Sequence, residues 1–231
     1  MNQQTQSVPA PEKSIKFKIK PAEITPWNPA TKNFGQLLDK FNGRPATVLL
    51  VGACDLKSFD NDLYPHLVQN KHWKGIFVEP VPALFESLVQ NIEFLPNKLA
   101  LNYAITESTQ EYPIYIPSGK PKWLLGCPSL KMNPILEKFE CEKKMIQGTN
   151  FDTLLTIIPD KFKRTIDILQ IDTEGYDLII IQQIIPRYLP KIIRVEQKHL
   201  IGADKTKLKK FLTLHNYDFK RVGLDYICQH K

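Results

Sequence analysis

The sequence contains few cysteines and no pattern typical of a metal site or a disulfide framework. Its 231 residues include four cysteines, which are widely spaced and form no Cys-x-x-Cys pair. Neither a zinc site nor disulfide cross-linking is therefore predicted. We expect a reducing, cytoplasmic compartment, since disulfides persist mainly in oxidising ones. The four residues are Cys54, Cys127, Cys141 and Cys228.

Long apolar runs are also absent. The most apolar stretch, residues 178–185, contains Gln182 and Gln183 and ends before Pro186. It is well short of the roughly 20 residues that a membrane helix needs. The N-terminus has no apolar region of the kind found in a secretion signal. The sequence thus predicts neither a membrane span nor export.

The glycine-rich loop that binds a dinucleotide pyrophosphate is missing. Of the pattern Gly-x-Gly-x-x-Gly only Gly52 is present, and Cys54 and Lys57 stand at the second and third glycine positions. Those glycines let the backbone approach the pyrophosphate closely. Their absence counts against an NAD-dependent enzyme.

The chain has enough apolar residues for a core, and its charge is unevenly distributed. Hydrophobic residues make up 42% of the sequence, which excludes disorder of the whole chain. The net charge is +7, but residues 45–196 carry 16 Lys and Arg against 18 Asp and Glu. The basic excess belongs to residues 1–44 and 197–231. It indicates how a partner is approached rather than which reaction is catalysed.

The length fits one α/β domain with an N-terminal extension. Residues 1–30 are polar and proline-rich, which predicts a flexible arm. Residues 31–231 are predicted to form a single domain.

From Thr47 onward, strand and helix patterns alternate, which predicts a mostly parallel sheet with helices on both faces. Predicted strands cover 47–51, 75–78, 98–105, 111–116, 166–171 and 191–196, and 217–222 and 225–228 form a closing antiparallel hairpin. Predicted helices cover 61–70, 82–92, 151–158, 178–184 and 204–215.

Residues 117–150 are rich in proline and glycine and are predicted to be irregular, with a helix from Pro134 to about Lys143. Trp123, Leu124 and Leu125 give this stretch an apolar surface. It is interpreted either as a lid over an acceptor site or as a surface insertion.

Ligands of open α/β sheets bind at the carboxyl ends of the strands, so the residues that follow each strand are the candidates for a site. They are Gly52 to Asp55, Glu79, Ala104, Asp172 to Gly175, and Glu196 to His199. A small-residue turn at Gly52 allows close approach of a ligand. A carboxylate at Glu79 suits the two hydroxyls of a ribose.

Three acids, Asp172, Glu174 and Asp177, lie within six residues after an apolar strand. Core packing does not require them, although one acid is able to cap the following helix. They indicate a site for a cationic ligand or for proton transfer. A metal ion is a competing interpretation of the same acids, but no metal ligands are assigned from the sequence.

Several short blocks, in order, resemble the FkbM-type family of S-adenosylmethionine-dependent methyltransferases. The most specific block is 168–177, Ile-Leu-Gln-Ile-Asp-Thr-Glu-Gly-Tyr-Asp. The others are 48–55, 73–82, 101–105, 151–155 and 193–196, so the resemblance covers residues 47 to about 228. The sequence differs from related methyltransferases at Leu50, where an acid is common, and at Cys54 and Leu56, where glycines are common.

The resemblance implies a Rossmann-like class I methyltransferase fold with a seven-stranded sheet and a C-terminal antiparallel hairpin. It implies methyl transfer from S-adenosylmethionine to a hydroxyl of a carbohydrate, natural product or other small molecule, with S-adenosylhomocysteine as the product. By position, the cofactor would contact Gly52, Ala53, Cys54, Asp55, Glu79, Pro80, Ala104, Ile105 and Asp172. Candidates for the catalytic base are Asp172, Glu174, Glu196 and His199.

Two alternatives stay open at this stage. An RNA methyltransferase would use the basic termini, including Lys205, Lys207, Lys209 and Lys210, although lysines on one face of a helix are usually only solvated surface. A non-catalytic interaction protein would keep the fold without the activity. The acceptor and the oligomeric state are not determined by the sequence.

Overall fold

A computed structural model of the chain describes residues 32–58, 62–119 and 122–231. The predicted arm, residues 1–30, lies outside the described residues. The side chain of Trp123 also lies outside them.

Ten strands and seven helices make up the described residues. The strands are β1 Thr47–Val51, β2 Lys74–Val78, β3 Lys98–Leu101, β4 Ala104–Ile105, β5 Gln110–Pro117, β6 Cys141–Thr149, β7 Ile168–Ile171, β8 Ile192–Glu196, β9 Tyr217–Val222 and β10 Asp225–His230. The helices are α1 Lys32–Asp39, α2 Leu63–Gln69, α3 Pro82–Ile92, α4 Phe151–Ile157, α5 Asp160–Lys163, α6 Asp177–Ile184 and α7 Gly202–Leu214.

The central sheet has seven strands in the order β3-β2-β1-β7-β8-β10-β9. Parallel pairing joins β3 through to β8, and β10 runs antiparallel to both β8 and β9. This arrangement confirms the predicted Rossmann-like methyltransferase fold, including its C-terminal hairpin. The strand order reverses between β1 and β7, which creates the crevice where open α/β sheets bind ligands.

Helices cover both faces of the sheet, because each inner strand is apolar on both sides. Val48 and Leu50 of β1 pack with α1, α2 and α3, while Leu49 and Val51 pack with α4, α5, α6 and α7. All five residues of β1 are buried. Continuous apolar runs of this kind are expected of parallel strands that are covered twice.

A second, three-stranded sheet in the order β4-β6-β5 stands beside the carboxyl edge of the central sheet. The sequence predicted one strand over 98–105, but the chain leaves the central sheet after Leu101. The Asn102 side-chain amide donates to the main-chain oxygens of Glu79 and Pro80, at 2.8 and 3.1 Å. This anchor turns the chain, so that residues 104–105 pair with β6 instead.

The prediction for residues 134–143 was wrong. Leu136–Lys138 form only a short 3-10 turn, and Cys141–Thr149 form a strand that pairs with the whole of β5. The charged segment Glu142-Lys143-Lys144 is exposed and shows no apolar alternation. Long-range pairing with β5 therefore determines this strand, and local propensity does not. In the part of the chain that the structure covers, no helix has the length and apolarity to cross a membrane.

Candidate functional site

A pocket lies at the carboxyl ends of β1, β2 and β7, between the central and the second sheet. It is a small cavity of about 40 Å³. That is room for about three waters, at 10–15 Å³ each. Its lining residues are Val51, Gly52, Cys54, Glu79, Pro80, Tyr103, Ala104, Ile105, Ile114, Gly126, Pro128, Leu130, Asp172, Thr173, Glu174, Tyr176 and Ile180.

Gly52 lies where β1 and β7 come closest beyond their ends. Its φ is +78°, a conformation that L side chains rarely adopt. A Cβ atom here would lie 1.8 Å from the main-chain oxygen of Asp172. The glycine is therefore required by the close approach of the two loops, and not only by a tight turn.

The loop after Gly52 is held by its own polar groups. Asp55 is buried, and its Oδ1 accepts from the main-chain N–H groups of Lys57 and Ser58, at 3.0 and 2.7 Å. Ala53 is buried in the core beneath the loop. Neither Ala53 nor Asp55 lines the pocket, so the structure gives these two residues a part in shaping the loop rather than in contacting a ligand there.

Glu79 extends from the end of β2 and is buried at the pocket wall. Its Oε2 accepts from the N–H of Cys54 at 2.8 Å, and its Oε1 accepts from the N–H of Val81 at 2.9 Å. Burial raises the pKa of Glu79 to about 7, while these two hydrogen bonds lower it. A carboxylate has about four acceptor positions, so two remain for a ligand. The same burial and the Glu79 charge raise the pKa of the Cys54 thiol.

The residues after β3 form the apolar side of the pocket. Tyr103, Ala104 and Ile105 line it together with Ile114 of β5 and Leu130. Ala104 and Ile114 belong to one buried cluster, against which Leu130 packs. Sequence analysis missed Ile114 and Leu130 because they reach the pocket only through the second sheet.

The three acids of the loop that follows β7 have different surroundings. Asp177 is fully buried and accepts from the N–H groups of Thr173 and Gly175, at 3.3 and 3.1 Å, so it organises the loop. Asp172 opens on the pocket. Desolvation of the Asp172 carboxyl by the atoms packed around it, followed by the charges of Glu174 and Asp177, raises its pKa well above the usual value.

Glu174 points from the same loop toward β8. Its φ is +55°, an uncommon conformation for a residue other than glycine. Its Oε2 lies 2.8 Å from Nε2 of His199, which in turn lies 3.8 Å from Oε1 of Glu196. Burial, followed by the charges of Asp172 and Glu174, raises the pKa of Glu196. Glu174 lines the pocket, whereas Glu196 and His199 lie behind it.

One buried guanidinium partly balances these acids. Nε of Arg194 donates to Oδ2 of Asp225 at 2.8 Å, and its Nη1 lies 3.4 Å from Oδ2 of Asp62. Arg194 is thus engaged by two carboxylates on the far side of β8. Sequence analysis missed this ion pair, since Asp62 and Asp225 are distant in the chain.

A covering segment, residues 122–131, closes the pocket from above. Ser129 Oγ donates to the main-chain oxygen of Glu174 at 2.9 Å, and Ser129 also pairs with Tyr115 of β5. The Cys54 thiol approaches the main-chain oxygen of Gly126 at 3.7 Å. The segment is therefore tied both to the loop after β1 and to the loop after β7.

Seven of the nine predicted cofactor residues line this one pocket, namely Gly52, Cys54, Glu79, Pro80, Ala104, Ile105 and Asp172. The four candidates for the base also gather at one end of it, either in its wall or in contact with Glu174. The lysines of α7, in contrast, do not line this pocket. Lys207, Lys209 and Lys210 are exposed, and Lys207 pairs with Asp204.

The fold is similar to several solved methyltransferases, at low identity. Fibrillarin in its complex with Nop5p is 12% identical, with a TM-score of 0.49 and coverage of 89% of this chain and 83% of that chain. The precorrin-6y C5,15-methyltransferase of Geobacter metallireducens GS-15 is 12% identical, with a TM-score of 0.46 and coverage of 90% of each chain. The ribosomal protein L11 methylase of Lactobacillus delbrueckii subsp. bulgaricus is 10% identical, with a TM-score of 0.45 and coverage of 88% and 81%.

These likenesses are too distant to carry an argument about the acceptor. No curated protein matches the chain with significance. A profile of the FkbM methyltransferase domain, in contrast, matches residues 51–221, which include every strand end that borders the pocket. The chain therefore belongs to the FkbM methyltransferase family, S-adenosylmethionine-dependent enzymes with the class I fold.

Proposed function

We propose that this protein transfers the methyl group of S-adenosylmethionine to a hydroxyl oxygen of a small molecule or carbohydrate. The observation that carries the proposal is the single pocket that joins Gly52, Glu79, Asp172 and Glu174 at the reversal of strand order. Such a crevice is where open α/β sheets bind nucleotides. Its apolar side suits an adenine, and its acidic end suits a sulfonium and an acceptor.

In the proposed complex, the cofactor lies along the strand ends. Glu79 binds the ribose hydroxyls with the acceptor positions that Cys54 and Val81 leave open. The adenine packs between Pro80 and Ile105, near Ala104. The methionine part runs past Gly52 and Cys54 toward Asp172, whose negative charge favours the sulfonium.

The proposed reaction is an in-line substitution at the methyl carbon. The acceptor oxygen forms a bond to the methyl group as the carbon–sulfur bond breaks, and the electron pair of that bond stays on sulfur. The product S-adenosylhomocysteine is a neutral thioether. The hydroxyl proton passes to a carboxylate of the pocket wall, which contains Asp172 and Glu174, and we assign this role to Asp172. Alignment and exclusion of water supply much of the rate.

We also propose that the covering segment opens to admit the cofactor. The pocket holds only about three waters as it stands, whereas a nucleoside joined to an amino acid needs several hundred cubic ångströms. The contacts that would have to change are the Ser129 hydrogen bonds to Glu174 and to the main chain of Tyr115, and the approach of Cys54 to Gly126. Hydrogen exchange of residues 122–131 should slow when S-adenosylhomocysteine is bound. Unchanged exchange with saturating ligand would contradict this part of the proposal.

The test of the function combines binding with turnover. Calorimetry with S-adenosylhomocysteine measures cofactor binding, and S-adenosylhomocysteine release from S-adenosylmethionine measures transfer to a panel of sugars, phenols and aliphatic alcohols. We expect Asp172→Asn to lower kcat by at least a hundredfold and to change cofactor affinity by less than tenfold. Asp218→Asn, at an exposed position on β9, is the matched control and should leave both values unchanged.

The outcomes separate the alternatives. Unchanged turnover in Asp172→Asn would remove this residue from the reaction. No binding of S-adenosylhomocysteine by the folded wild-type chain would overturn the proposal in favour of a non-catalytic interaction protein. Methylation of RNA, with an affinity that falls steeply as salt is added, would overturn the small-molecule acceptor.

A further inference from the structure

The cluster behind the pocket, formed by Glu174, Glu196 and His199, has unusual chemistry for a protein interior. These side chains expose only 11%, 6% and 6% of their surface. The three donor atoms, one from each residue, lie within 4.8 Å of one another. Two of the three residues come from the turn at the end of β8, and the third comes from the loop after β7.

Three atoms of the cluster make no hydrogen bond in the described part of the protein. They are Oε2 of Glu174, Oε2 of Glu196 and Nε2 of His199. The 2.8 Å approach of Nε2 to Glu174 does not have hydrogen-bond geometry. Buried polar atoms are almost always paired, so three orphans at one point call for a partner.

In the protonation states that bind a metal, with both carboxylates ionised and the imidazole neutral, all three atoms are acceptors. Ionised carboxylates only accept hydrogen bonds, and a neutral imidazole offers one acceptor nitrogen. One water molecule has two hydrogens and leaves one of three acceptors unsatisfied. A cation satisfies all three at once, and it also offsets the repulsion among Glu174, Glu196 and the nearby Asp172.

The local charges favour a cation as well. Within the described residues, no lysine or arginine forms an ion pair with Glu174, Glu196 or Asp172, and Arg194 is already engaged by Asp62 and Asp225.

From these observations we infer that Glu174, Glu196 and His199 bind a divalent transition-metal ion. Donor atoms about 2.1 Å from one ion lie roughly 3 to 4 Å apart. Nε2 of His199 lies 2.8 Å from Oε2 of Glu174 and 3.8 Å from Oε1 of Glu196, close to that range. An imidazole with two carboxylates suits Mn²⁺, Fe²⁺, Co²⁺ or Zn²⁺ better than Mg²⁺ or Ca²⁺. Three protein ligands leave coordination positions open.

The ion would adjoin the proposed acceptor end of the pocket, because Glu174 belongs both to the cluster and to the pocket wall. An acceptor hydroxyl bound at an open position would lose its proton more readily, as water does on a bound metal. This role rests on the proposed function, whereas binding of the ion does not.

Metal binding is tested directly on the full-length chain after treatment with EDTA. Titration with Mn²⁺, followed by the electron paramagnetic resonance signal of the unbound ion, should show one ion per chain. Glu174→Gln and His199→Asn should each raise the Kd for Mn²⁺ at least tenfold. The matched controls Glu93→Gln and His72→Asn, at exposed positions, should change it less than twofold.

A second measurement, which begins with the wild-type chain, keeps the inference testable if a ligand variant fails to fold. The visible absorption of Co²⁺ added to the wild-type chain should show a protein-bound spectrum, and Glu196→Gln should alter it. The inference is overturned if the wild-type chain binds neither Mn²⁺ nor Co²⁺, or if the ligand variants bind them as the wild type does.

Cofactor binding distinguishes failure of the metal site from failure of the proposed function. The EDTA-treated chain should still bind S-adenosylhomocysteine, and His199→Asn should bind it within threefold of the wild type. Cofactor binding without metal binding would overturn only the metal site. Metal binding without cofactor binding would overturn only the proposed function. Equal transfer rates with and without the metal would overturn its role in activating the acceptor.

Discussion

The carboxyl edge of the central sheet has two halves, which differ in whether their buried polar groups are already hydrogen-bonded. In the β1–β2 half, residues 52–58 and 79–81, the carboxylates of Asp55 and Glu79 each accept two main-chain N–H groups. In the β7–β8 half, residues 172–177 and 196–199, four buried polar atoms make no hydrogen bond among the described residues, one each on Thr173, Glu174, Glu196 and His199. The first half is complete without a ligand, and the second is not.

The difference indicates a division of labour. A half whose groups are already held by the backbone provides a rigid surface for binding, since its geometry does not depend on the ligand. In a half with unpaired acids, the carboxylates remain available for strong electrostatic interactions with a bound ligand or ion. This matches a proposed cofactor site in the first half and a proposed acceptor and metal site in the second.

The largest expected effect comes from the point where the halves meet. Gly52→Ala would place a Cβ atom 1.8 Å from the Asp172 main-chain oxygen at a φ of +78°. We expect the free energy of unfolding to fall by at least about 3 kcal/mol, measured by urea denaturation. Gly35→Ala is the control, since nothing lies within 4 Å of its Cβ, and alanine should stabilise α1 by about 0.5–1 kcal/mol. Equal stability of the two variants would show that the halves are not in contact at Gly52.

The next effect concerns the two paired carboxylates of the β1–β2 half. Glu79→Gln removes the charge and an acceptor from the pocket wall, so the affinity for S-adenosylhomocysteine should fall 10- to 100-fold in calorimetry. Asp55→Asn keeps an oxygen for Lys57 and Ser58 and lies outside the pocket. It should change the affinity less than threefold. Similar losses of affinity in both variants would mean that the conformation of the loop after β1, and not the Glu79 carboxylate in the pocket wall, governs binding.

The pKa of Glu79 gives the β1–β2 half a dependence on pH. Because this pKa is raised to about 7 in the ligand-free protein, the carboxyl is mostly protonated below pH 7 and ionised above it. Only the ionised form accepts both ribose hydroxyls, so affinity should rise with pH by up to about tenfold per unit below 7 and level off above it. Calorimetry from pH 6 to 8 measures this. A wild-type profile that matches that of Glu79→Gln would assign the dependence to another group.

The smallest expected effect lies in the β7–β8 half. Glu196→Gln removes a carboxyl whose ionised form is disfavoured by burial and by nearby acids, and it supplies an amide that can donate to a carboxylate, so the metal-free protein should gain about 1 kcal/mol in the free energy of unfolding. Urea denaturation in EDTA measures the gain, and Glu93→Gln should stay within about 0.5 kcal/mol of the wild type. A loss of stability in Glu196→Gln would mean that its carboxylate is already well paired.

Local patterns were enough to predict the main architecture and most of the pocket wall. The β-branched run at Thr47–Val51, the helix over Pro82–Ile92 and the hairpin about Gly223 each show in a few neighbouring residues. Once the parallel sheet is inferred, the carboxyl ends of its strands must share one edge, which brings Gly52, Glu79 and Asp172 together.

The second sheet could not be predicted in the same way. Strand β6 contains Glu142-Lys143-Lys144 and has no apolar alternation, so its pairing with β5 and β4 determines it. The helix expected over 134–143 was wrong for this reason. The position of the covering segment could not be predicted from the sequence either, because Ser129 is held by Tyr115 of β5 and by the main chain of Glu174.

By itself, the sequence determined the alternation of strands and helices in the central sheet, the acids at its strand ends and the resemblance to the FkbM methyltransferases, because each depends on residues close together in the chain. Only the tertiary structure decided the different surroundings of Asp172, Glu174 and Asp177. Asp177 turns back to hold its own loop, Asp172 opens on the pocket, and Glu174 meets Glu196 and His199 from another strand. The positions of Asp172 and Glu174 depend on distances between separate segments, and that of Asp177 depends on the direction of hydrogen bonds within its loop. Spacing along the chain encodes neither.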